Sequence, residues 1–179
     1  MSRGGLNLSY SNGFELESQG FDTYKNLIKY YLGASQLENS ARSLIDKACG
    51  IDCIADIQGQ MKGISLRVRN KDYNSFTLNR HITDKHSEVN KWITKRTNQI
   101  KATYHLQFAP MSKGGVRVWR IDIDAFSLFL QRQINASNLV SYYRDGLQCY
   151  EFAHSEVSGV AGVRMFETND KLLHNSNKL

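Results

Sequence analysis

An aspartate at the mouth of one apolar run and a serine–arginine pair inside the next are the residues whose types and spacing could do chemistry. Asp52 opens Asp52-Cys53-Ile54-Ala55-Asp56-Ile57, and Ser65 and Arg67 lie in Ile64-Ser65-Leu66-Arg67-Val68-Arg69. The polar link Gln58-Gly59-Gln60 predicts a tight turn, and a hairpin closed there brings Asp52 and the Ser65/Arg67 pair to one end. An acid beside a cation on such a hairpin suits metal-dependent phosphodiester hydrolysis. Carboxylate oxygens hold a hard cation, and a positive group meets the phosphate charge.

Periodicity gives the elements that must position these residues. Tyr24, Leu27, Ile28, Tyr31 and Leu32 recur at three and four residues, which predicts an amphipathic helix from Phe21 that Gly33 stops. Ser35 with Glu38 forms a capping-box pattern ahead of Leu37, Ala41, Leu44 and Ile45, predicting a second helix that ends at Cys49-Gly50. Strands are predicted over 53–57, 63–69 and 75–80, with Ile64, Leu66 and Val68 on one face and Ser65, Arg67 and Arg69 on the other. A helix follows from 87 to about 99–101, then strands over 102–109 and 116–123 around a Pro- and Gly-containing turn. A helix over 125–134 and short aromatic strands over 148–152 and 162–166 complete the chain. Residues 1–20 read as an N-terminal arm, 21–168 as a single domain and 169–179 as a flexible tail.

The formal charge of +6 and pI of about 9.2 argue for a polyanionic partner. Arg69, Lys71, Arg80, His81, Lys85, Lys91, Lys95, Arg96 and Lys101 crowd the region after the hairpin, and the first seven are candidates for binding nucleic acid. A solvated helix face accounts for Lys91 and Lys95 equally well. Cys49, Cys53 and Cys149 have no zinc or redox spacing and read as thiols of a reducing cytosol. The five histidines form no zinc pattern, and neither a P-loop nor a GxSxG elbow is present. No apolar run reaches the roughly 18 residues of a membrane span, and no signal peptide is apparent, so a soluble cytoplasmic protein is expected.

Helix, three meandering strands, helix, strand over 35–109 resembles the core of the PD-(D/E)XK nuclease superfamily, the fold of restriction enzymes and Holliday-junction resolvases. Gly50-Ile51-Asp52-Cys53-Ile54-Ala55 is similar to the first motif of that family, and Ile64-Ser65-Leu66-Arg67 falls where its second acid and lysine stand. The resemblance implies an α/β fold with a restriction-endonuclease-like αβββαβ core, a mixed central sheet flanked by helices. It implies a metal-dependent endonuclease acting on double-stranded DNA, using Mg²⁺ or Mn²⁺ and working as a homodimer. Asp52 is then the family's aspartate, with Ser65 and Arg67 as the remaining catalytic positions. Because Ser65 replaces an acid, the additional metal ligand is sought at Glu38 or Asp46 on the preceding helix, or at Glu88. Some members of the superfamily carry the second acid on the helix after the third strand, where Glu88 and Lys91 stand. Plainer roles are a turn aspartate for Asp52, a cap for Glu38 and dipole complementarity for Glu88. The alternative function is a nuclease-fold protein without activity that binds nucleic acid or a partner protein.

Overall fold

The computed structural model describes residues 10–40, 49–80, 88–93, 101–144 and 147–168. Its elements, in chain order, are α1 (Tyr10–Leu32), β1 (Ala34–Asn39), β2 (Cys53–Ile57), β3 (Gln60–Val68), β4 (Ser75–Asn79), α2 (Glu88–Ile93), β5 (Ala102–Pro110), β6 (Val116–Asp122), α3 (Ile123–Asn135), β7 (Ser141–Arg144), β8 (Leu147–Ala153), α4 (His154–Val157) and β9 (Val163–Thr168). They form a mixed α/β fold. A six-stranded sheet runs β1-β2-β3-β5-β6-β9, and a three-stranded sheet runs β4-β8-β7. β1, β2 and β3 form an antiparallel meander, and β5 lies parallel to β3.

The hairpin predicted at Gln58-Gly59 is present. Both residues have positive φ, +54° and +77°, the signature of a two-residue type I′ turn whose twist matches the flanking strands. Ile57 faces Gln60, and Cys53 faces Ile64. The Asp52 N–H donates to the Ile64 carbonyl at 2.8 Å, which brings Asp52 level with Ser65. Alternation along β3 separates two environments. Ile64 and Leu66 turn to α1, where Leu27, Ile28 and Leu32 cover them together with Cys53, Leu106 and Phe108. The opposite face of the sheet packs Trp119 and Ile121 against Phe76 and Phe152 of the small sheet, Trp92 of α2 and Phe126 of α3. The first turn of α3 is fixed by Asp122, whose side chain accepts the Ala125 N–H at 3.1 Å.

Three expectations are corrected. The helix expected from Ser35 does not begin there: Ala34–Asn39 form β1, and residues 41–48 of that expected helix lie outside the described residues. Ser35 Oγ donates to Asp56 Oδ2 at 2.9 Å instead of capping a helix, and Glu38 stands opposite Ile54. Pairing along β2 outweighs the small helical preference of these residues. Next, α1 begins at Tyr10, so much of the expected 1–20 arm is helical. Propagating an existing helix gains one hydrogen bond per residue and so tolerates Gly13 and Gly20. Finally, the predicted strand over 75–80 exists as β4 but leaves the central sheet to pair with β8. The described order is therefore α1, β1–β3, β4, α2 and β5, with the three-stranded antiparallel meander one strand earlier than the sequence suggested and β4 standing between it and α2. Asp52 opens the second strand rather than the first. The 169–179 tail and residues 94–100 of the predicted helix lie outside the described residues. No helix among the described residues is long and apolar enough to cross a membrane.

Gly63 is required for this placement of Asp52. A Cβ there would lie 2.7 Å from Ile51 Cδ1, and Ile51 is only 1% exposed. Gly63→Ala is expected to cost about 1–3 kcal/mol by overpacking. Denaturant titration should show part of that cost recovered in Gly63→Ala/Ile51→Val, which lacks the offending methyl.

Candidate active site

A cavity of about 140 Å³ opens at the end of the hairpin, lined by Asp52, Ser65 and Arg67 from β2–β3, Glu88, Lys91 and Trp92 from α2, and Lys101 beside β5. Asp52 is held by the Leu66 N–H, which donates to its Oδ2 at 2.6 Å. Gly50 adopts φ +64°, and a Cβ on it would lie 3.3 Å from Lys91 Nζ. The missing side chain leaves room for the lysine, and the backbone conformation suits glycine.

Behind the cavity, the central sheet meets the edge of β4 through side chains. An edge strand carries unpaired backbone groups that a fold must cover. Here Gln107 Nε2 donates to the Ser75 carbonyl at 2.9 Å, and Arg67 Nη1 donates to the Thr77 carbonyl at 2.6 Å. The Asn79 N–H donates to Glu88 Oε2 at 2.7 Å. Arg67 Nη2 is also ion-paired with Glu88 Oε1. Arg69 bonds Thr77 Oγ1 through Nη2 and reaches Gln107 Oε1 at 3.3 Å through Nε. Arg67 and Glu88 thus close one sheet against the other as well as lining the cavity.

Burial by itself would raise the Glu88 pKa, but the Arg67 guanidinium and the hydrogen bonds from Arg67 and Asn79 hold it below the usual carboxylate value. Glu88 is therefore ionised at neutral pH. His105, opposite Ser65 on the parallel strand, is wholly buried, with Nδ1 at 3.2 Å from Ser65 Oγ and no hydrogen-bond partner for Nε2 among the described residues. Burial, then the nearby Arg67 charge, pushes its pKa down to about 3, so it is a neutral hydrogen-bonding group and a poor base. Burial, then the Asp52 carboxylate, pushes the Cys53 thiol up, leaving it protonated and unreactive.

These shifts fix the sign of the pH dependence. A histidine that stays neutral in the fold but protonates near pH 6.5 when unfolded stabilises the protein above pH 6.5. That stability is lost as pH falls toward 3, at up to about 1.4 kcal/mol per pH unit. Denaturation measured between pH 7 and pH 5 should show this slope, and His105→Gln should flatten it. The depressed Glu88 adds a further loss only below its unfolded value.

Of the other predicted site residues, Glu38 is exposed on β1 and does not line the cavity, while Asp46 lies outside the described residues. Ser65 is at the cavity wall, but Arg67 is turned to Glu88 and Thr77, a tethering position rather than one aimed at solvent. Arg69 is likewise committed to Thr77 and Gln107, and Arg80 lies over the Tyr150 ring at 5.1 Å. Lys71 is exposed, and His81, Lys85 and Lys95 lie outside the described residues. Among the described residues of those seven candidates, Lys91 lines the cavity. No group of three or more His, Cys, Asp or Glu side chains suited to a metal occurs among the described residues. No protein-family model, curated protein or solved structure matches the chain. The roles of Thr77, His105 and Gln107 have no counterpart among the sequence expectations, whereas Lys101, one of the basic run after the hairpin, lines the cavity. A signal existed for two of them, since His105 and Gln107 share one face of an otherwise apolar strand, which marks a polar inner layer.

Proposed function

We propose that the chain is a metal-dependent endonuclease of the PD-(D/E)XK type, in which Asp52, Glu88 and Lys91 form the site. The observation that carries this reading is their convergence on one cavity from β2 and α2. The missing acid and lysine of the Ser65-Leu66-Arg67 strand then have substitutes on the following helix.

The donor set fits Mg²⁺ or Mn²⁺. Mg²⁺ keeps several waters and is commonly held by one or two carboxylates together with substrate phosphate. Asp52 and Glu88 supply two carboxylates, and the hydrogen bonds they accept leave lone pairs for a cation. When bound, such an ion activates water and neutralises charge at a phosphate. Arg67 keeps Glu88 ionised and fixes its direction. Lys91 places an ammonium where charge grows on the phosphate, and Ser65 offers a hydroxyl to water or phosphate oxygen. The positive net charge and Lys91 support DNA as substrate, and cutting both strands would suit a two-fold homodimer.

The second reading is a binder without activity. The engagement of both Glu88 oxygens by Arg67 and Asn79 favours it. Plasmid DNA incubated with Mg²⁺ or Mn²⁺ distinguishes the two. The enzyme reading expects cutting by the wild type, loss in Asp52→Ala and strong impairment in Lys91→Met. Binding with no cutting under either metal would sink it. RNA competition at stated salt separates DNA from RNA preference.

A further inference from the structure

Lys101 lines the cavity together with Lys91 and is ion-paired with Asp124 in the first turn of α3. The two partners differ in exposure. Lys101 is 36% exposed, whereas Asp124 is 67% exposed. An ion pair with so wet a partner is worth roughly 0–1 kcal/mol, so Asp124 restrains Lys101 without committing it. Of the other charges at the cavity, Arg67 is matched by Glu88, and Asp52 and Lys91 belong to the proposed reaction centre. Lys101 is the cation there whose partner can be exchanged for a ligand at little cost.

We propose that Lys101 holds a backbone phosphate of the nucleic-acid substrate, and that Asp124 competes with that phosphate for the ammonium. This rests on the nuclease reading of the cavity. A phosphate brings more negative charge than the carboxylate it displaces and meets Lys101 in a half-buried place where screening is weaker than at the surface. Lys101 therefore contributes to binding rather than to the chemical step. Asp124 sets how strongly it does so.

The test is fluorescence anisotropy of a labelled DNA duplex at several salt concentrations, in EDTA and again in Ca²⁺, with four variants. Lys101→Gln is expected to weaken binding by about 5- to 10-fold and to reduce the slope of log K against log salt by about 0.9. Asp124→Asn is expected to tighten binding by about 2- to 5-fold, and Lys101→Gln/Asp124→Asn to bind like Lys101→Gln. Asp22→Asn, an exposed acid on α1, changes net charge equally and is expected to leave affinity within error. An undiminished salt slope in Lys101→Gln, or an equal gain in Asp124→Asn with and without Lys101, would overturn the inference while leaving the nuclease reading intact. Absence of salt-dependent DNA binding by the wild type would overturn both.

Discussion

Asp52→Asn is expected to lower DNA cleavage by more than about 100-fold while the protein stays folded. Removing a group that merely orients a metal ligand typically costs 10- to 100-fold, and loss of a ligand's charge should exceed that. Asparagine is nearly the same shape, and its side-chain oxygen can still accept the Leu66 N–H that now reaches Asp52 Oδ2 at 2.6 Å. The Asp52 N–H bond to the Ile64 carbonyl belongs to the backbone and is untouched. Stability is therefore expected to change by less than about 1 kcal/mol, and the unfolding midpoint measured beside the cleavage rate separates chemistry from folding. A large loss of stability with proportionate loss of cutting would make Asp52 a structural turn residue.

Arg67→Met is expected to be the most destabilising single change at the site. The side chains of Arg67 and Glu88 are 16% and 21% exposed, so removing the guanidinium strands a largely dehydrated carboxylate and leaves the Thr77 carbonyl without its donor. Breaking a buried pair costs about 3–5 kcal/mol, and the residual exposure places this case near the lower end. Adding Glu88→Gln to Arg67→Met removes the stranded charge while keeping an acceptor for the Asn79 N–H. The double variant is therefore expected to be more stable than the sum of the single costs by about 1–3 kcal/mol. Urea titration of the four proteins closes this cycle. A cost below about 1 kcal/mol for Arg67→Met would show the pair behaving as a surface ion pair.

The hairpin was legible because its signals are local. Gln58-Gly59 accepts positive φ, and Ile64, Leu66 and Val68 alternate with polar neighbours. The convergence of Asp52 with Glu88 and Lys91 was legible only as a possibility raised by resemblance, since it depends on how α2 returns to the sheet across the excursion of β4. The β1 strand was hidden because Ser35 and Glu38 fit a helix cap as well as an edge strand, and the choice is made by β2 pairing. Arg67 looked like a group aimed at a phosphate. Its commitment to Glu88 and Thr77 follows from β4 joining the second sheet and leaving an edge that needs partners, which no local pattern encodes. Lys101 stood out only as one of a run of basic residues, and its place at the cavity was not legible because the lining comes from five separate stretches of chain.

The central claim is that Asp52 and Glu88 share one divalent cation, and calorimetric titration with Mn²⁺ tests it most directly. The wild type is expected to bind one ion per chain, and Asp52→Asn and Glu88→Gln, each with a native unfolding midpoint, are expected to lose that binding or weaken it by at least about 10-fold. Undiminished Mn²⁺ affinity in a folded Glu88→Gln protein would contradict the claim, leaving Glu88 as a clamp for Arg67 and the edge of β4.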